Sequence, residues 1–110
     1  MSKKKIYSKH FEKGRFYHRS DSRGGHPSLI YEKNDKKNKY KTLVFTSSHA
    51  KGTIKLKNSI DITNPKKKYY VHLKIYIGKR RDFGRRILTR LKVQKEDKTL
   101  LKIIIRKNGK

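Results

Sequence analysis

Acidic residues are scarce in this chain and cysteine is missing. There are 8 Asp+Glu against 33 Lys+Arg, and no Cys, in 110 residues. Without cysteine there can be no disulfide and no thiolate metal site, a composition that suits a reducing compartment. Asp21, Asp35, Asp61 and Asp82 are far apart in sequence and sit among turn residues. They offer no carboxylate cluster for a hard cation, and no metal or cofactor is expected. No apolar run approaches the ~20 residues of a membrane-spanning helix. The start, Met1-Ser2-Lys3-Lys4-Lys5, is basic but leads into no apolar signal region. The chain therefore reads as cytoplasmic, with no membrane partner.

What is abundant is positive charge, a formal net +25. A compact chain so charged repels itself, so a polyanion is expected to accompany it in use. Nucleic acid leads, RNA first and DNA second, ahead of an anionic membrane surface. The hydrophobic fraction of 32% is low and raises the question of disorder. Against disorder, the apolar residues are clustered: Leu29-Ile30-Tyr31, Leu43-Val44-Phe45, Tyr69-Tyr70-Val71 and Ile103-Ile104-Ile105. The length allows one domain with one modest core.

Residues 1–13 are polar and basic and read as an arm, leaving 14–110 as the domain. Gly14 to His18 is a short aromatic strand. Arg19 to Gly25 is a loop, and Pro27, lacking an N–H, belongs at the first residue of its strand or on an edge. Strands are predicted over 27–33 and 40–46, joined as a hairpin through Lys33 to Lys39. Thr53-Ile54-Lys55-Leu56-Lys57 alternates, with Ile54 and Leu56 expected inside. The longest predicted strand runs from Tyr69 to Ile77, with Tyr69, Val71, Leu73, Ile75 and Ile77 on one face. Tyr70, His72, Lys74 and Tyr76 share the other. One helix is predicted over 93–107, with Glu96 and Asp97 placed to favour its N-terminal dipole and Leu100, Leu101, Ile104 and Ile105 on one face. Five or six short strands and a C-terminal helix make a mainly β chain, a small barrel or strongly bent sheet.

The segment Lys79-Arg80-Arg81-Asp82-Phe83-Gly84-Arg85-Arg86 sets an aromatic ring among cations, which suits phosphate binding and base stacking. Lys79, Arg80, Arg81, Phe83, Arg85 and Arg86 are nucleic-acid-binding candidates on that ground. Tyr70 and His72 join them as residues of a polar, aromatic strand face. His26, ahead of Pro27, and Thr46, at a strand end, stand at loop–strand junctions where a sheet can hold reactive groups at the surface.

Gly24-Gly25-His26-Pro27-Ser28-Leu29-Ile30, Val44-Phe45-Thr46-Ser47, Tyr70-Val71-His72-Leu73-Lys74-Ile75 and the helix after Leu91 resemble the MazF/PemK-like endoribonuclease toxins. The resemblance covers roughly residues 14–106. It implies an SH3-like barrel, a homodimer, metal-independent cutting of single-stranded RNA, and an antitoxin protein as partner. Thr46 corresponds to the threonine after the family's central strand. The family usually has arginine before the strand-opening proline, where this chain has His26. Histidine can do acid–base work near neutral pH, but it cannot clamp a phosphate bidentately; Arg19 or Arg23 could supply the clamp.

Two functions follow. In the first, an endoribonuclease uses His26 for proton transfer, Thr46 to hydrogen-bond a phosphoryl oxygen and Arg23 to neutralise developing charge. In the second, the chain is a non-catalytic basic nucleic-acid-binding module, associated with the ribosome or inhibiting a nucleoprotein complex of a mobile element.

Overall fold

A computed structural model describes residues 11–19 and 26–108. The chain is mainly β: six antiparallel strands in one sheet and a single C-terminal helix. The strands are β1 (Phe16–His18), β2 (Pro27–Asn34), β3 (Lys39–Thr46), β4 (Thr53–Lys55), β5 (Tyr70–His72) and β6 (Tyr76–Gly78), followed by α1 (Lys95–Asn108).

The centre is β3. One edge pairs with β2, from Ser28↔Val44 to Asn34↔Lys39. The other edge is divided. Tyr40, Lys41 and Thr42 pair with Gly78, Ile77 and Tyr76 of β6, and Phe45 and Thr46 pair with Val71 and Tyr70 of β5. The β2–β3 hairpin turns at Asp35 to Asn38, where Asn38 takes a left-handed φ of 51°, which asparagine tolerates. A bulge between Ile30 and Glu32 leaves Tyr31 unpaired and bends the hairpin. The chain after β6 then returns along β1. Arg19 and Phe83 form an antiparallel bridge, the Gly84 N–H donates to the His18 carbonyl and the Leu88 N–H to that of Phe16. This return covers the outer edge of β1 and gives the sheet its barrel-like curl.

Directly paired residues share a sheet face. Phe16, Leu29, Leu43, Phe45 and Val71 lie on one face, in the main core with Leu101 and Ile104 of α1. Tyr17, Ile30 and Tyr40 lie on the opposite face, in a second cluster with Phe11, Phe83 and Ile87. There Phe11 meets Tyr17, Tyr40 and Phe83 edge-on at centroid distances of 4.8, 5.2 and 5.6 Å.

Three expectations need correction. Phe11, assigned to the arm, is a core residue at 2% exposure. The strand expected from Tyr69 to Ile77 is broken at Leu73-Lys74, because its two halves serve the two parts of β3's edge. Ile54, expected inside, is exposed, and Ile77, expected on one face with the buried Val71, is 55% exposed. Asp97 stands in the first turn of α1, as expected, and is also buried, where its carboxylate accepts the backbone N–H groups of Lys57 and Asn58 at 2.8 and 3.0 Å. That pair of bonds joins α1 to the loop after β4.

Candidate nucleic-acid interface

The face that carries Tyr17 and Tyr40 continues toward the other end of β3. Ser28, Thr42, Val44 and Thr46 are all buried there and form its floor. Around them stand Tyr70 and His72 of β5, Tyr76 of β6, Arg19 just after β1 and His26 just before β2. Tyr70 is opposite Thr46, and Tyr76 is opposite Thr42 and accepts its hydroxyl proton at the main-chain carbonyl, 3.0 Å away. The alternation read for Tyr70, His72 and Tyr76 thus survives the break between β5 and β6.

Two histidines distant in sequence meet on this face. The His26 and His72 rings are 6.4 Å apart, centroid to centroid. His26 is exposed, and its carbonyl accepts the Arg19 N–H at 3.1 Å, which ties the start of β2 to the end of β1. His72 is half-buried. Its pKa is lowered from the usual 6.5, first by burial and then by repulsion from His26, so its neutral imidazole is favoured near pH 7. The Arg19 guanidinium lies over the Tyr76 ring at 4.2 Å, a cation–π contact that holds it at the rim. His49 stacks on Tyr70 at 5.0 Å and covers one side of that ring.

Thr46 is on the same face but 6% exposed, and its Oγ1 accepts the Ser48 N–H at 3.1 Å. Its hydroxyl proton remains available to an acceptor. Arg23 lies outside the described residues. Lys79, Arg80, Arg81, Arg85 and Arg86 are exposed; Lys79, Arg80 and Arg81 follow Gly78 at the opposite end of β3, and Arg85 and Arg86 lie on the return along β1. Phe83 is a correction. It is 5% exposed, wedged between Phe11 and Tyr40, and is no platform for a base. Gly78 makes that burial possible, for a Cβ there would stand 2.7 Å from Phe83 Cζ.

The proximity of His72 to His26 left no mark in the sequence, since only the register of β5 against β3 brings it about. The one available signal was its place on the polar face of its strand. Among the described residues, no group of three or more His, Asp or Glu comes together as a metal site, and no helix is long and apolar enough to cross a membrane. No family model, curated protein or solved structure matches the chain.

Proposed function

We propose that this face binds single-stranded RNA and that His26 and His72 cut it by intramolecular transesterification. The juxtaposition of the two imidazoles carries the reading. At 6.4 Å between centroids, a phosphate can lie between the rings with a hydrogen bond to each. Neutral His72 takes the proton of the 2′-hydroxyl as its oxygen attacks the adjacent phosphorus. The P–O5′ bond breaks, and His26 gives a proton to the departing oxygen. The products are a 2′,3′-cyclic phosphate and a 5′-hydroxyl. Arg19 neutralises the phosphoryl oxygens, Thr46 is a further donor, and Tyr76 and the open side of Tyr70 receive bases. The excess of 33 basic over 8 acidic residues supports a polyanionic substrate. The reading agrees with the resemblance to the MazF/PemK-like toxins, with His72 added to the residues that resemblance implied.

The test is incubation of the protein with single-stranded RNA in EDTA. Cleavage with cyclic-phosphate ends is expected, while DNA of the same sequence binds and stays whole, for it lacks the attacking hydroxyl. His26→Ala and His72→Ala should each slow cutting by roughly 10²-fold, with little loss of RNA affinity. RNA that binds but is never cut would remove the enzyme and leave the nucleic-acid-binding module.

A further inference from the structure

The displaced basic segment encloses something of its own. Asn38, Lys79, Arg80, Arg81, Phe83 and Arg85 line an open cavity of about 470 Å³. Its shape is fixed by the backbone. The Arg80 N–H donates to Asn38 Oδ1 at 2.7 Å, and the Lys79 N–H to Asp82 Oδ2 at 2.7 Å. Residues Arg80–Asp82 form a 3-10 turn, and the buried ring of Phe83 anchors it from below. Four cations therefore face one cavity, and the neighbouring carboxylate of Asp82 is already engaged by the Lys79 backbone. The Arg80 guanidinium also reaches the Tyr40 hydroxyl, which donates to Asp35 at 2.8 Å, so a chain of contacts orients it.

We propose that this cavity is a second phosphate subsite, which grips the same RNA strand away from the point of cleavage. The inference rests on the RNA reading of the histidine face. It follows from placement. Tyr40, Thr42, Val44 and Thr46 share one face of β3, so Gly78, opposite Tyr40, and His72, at the level of Val44, lie along the same edge of that strand. Tyr40 and Val44 are four strand positions apart, and at ~3.3 Å each that is about 13 Å. A strand stacked at ~3.4 Å per nucleotide covers that in about four nucleotides, and a stretched one in about two. Tyr76, with Arg19 above it, lies midway. Arginine suits the end site because its fork binds phosphate oxygens in pairs.

The experiment reads binding alone. A 2′-O-methyl RNA of about twelve nucleotides cannot supply the attacking hydroxyl and is not cut. A single neutral methylphosphonate linkage is walked along it, with the oligonucleotide's register set by one fixed end. Affinity should fall about tenfold at two linkages, roughly two to four nucleotides apart, since each loses a charge-assisted contact. In Arg81→Ala/Arg85→Ala the loss at one of the two should vanish while the other persists, and Arg81→Lys/Arg85→Lys should restore part of it. Both arginines are exposed, so circular dichroism should show these variants folded. A uniform loss along the strand, or two losses both unaffected by the arginine changes, would overturn the subsite. Because no cutting is measured, failure of the histidine chemistry would leave this result standing, and the reverse also holds.

Discussion

At the scale of single residues, the histidine pair gives its own titration. His72 is lowered from 6.5, mainly by burial and secondarily by His26. A base must be neutral, so cleavage should rise with pH through a limb below 6.5 and lose that contribution as His72 protonates. His26→Gln removes the smaller cause, so the His72 pKa should move up toward 6.5 while burial holds it below. An NMR titration of the His72 ring reads the shift, and an unchanged or lower value would mean the rings do not interact.

Asp61 behaves in the opposite sense. Its pKa is lowered from 3.8, first by the hydrogen bond from the Thr63 hydroxyl, with the Arg90 guanidinium 3.6 Å away adding to the effect. Its stabilising contribution is present above 3.8 and is lost as pH falls through the lowered value. Thr63→Ala should raise the Asp61 pKa and narrow that acid range, as urea midpoints between pH 2 and 5 would show. Asp97 makes a plainer case, with two backbone donors on one buried carboxylate. Asp97→Ala should cost about 2–4 kcal/mol in urea unfolding, because it leaves both N–H groups without their partner.

Elements were legible wherever their signals were local. The apolar run of β3, the turn residues of the β2–β3 hairpin and the apolar stripe of α1 all stand in the sequence, and all form within a residue or two of where they are expected. The split between β5 and β6 is different. No glycine or proline marks Leu73-Lys74-Ile75, so the break is imposed from outside, by the pairing needs of β3. Phe83 misled for a related reason. A ring among arginines has the look of an exposed one until the missing side chain of Gly78 is seen to make room beneath it. The same feature sets a prediction. Gly78→Ala puts a methyl group against a ring that Phe11 and Tyr40 already confine. It should lower stability by about 1–3 kcal/mol, as over-packing does, and loosen the adjoining basic turn. Thermal unfolding and weaker RNA binding together would show both.

For the molecule as a whole, charge decides most. A formal +25 on a globule with a 13.5 Å radius of gyration is a strained arrangement in water. Its thermal midpoint should climb with added salt, which screens the repulsion, and on the proposed function it should climb further with RNA, as for any ligand of the folded form. RNA affinity should fall steeply over the same range of salt, since counterion release drives it. Scanning calorimetry and binding isotherms across a salt series would show two opposed slopes, and an affinity indifferent to salt would point away from nucleic acid.

The divided edge of β3 also bears on how the protein opens. Its two halves are held by different partners, β6 at the arginine end and β5 at the histidine end, with a bend between them. Amides of Val71 and His72 therefore belong to one local unit and those around Ile77 and Gly78 to another, each able to exchange with solvent without full unfolding. An RNA too short to reach across would slow exchange in one unit only. A strand long enough to touch both would act as a splint, and protection would spread along β3 from end to end.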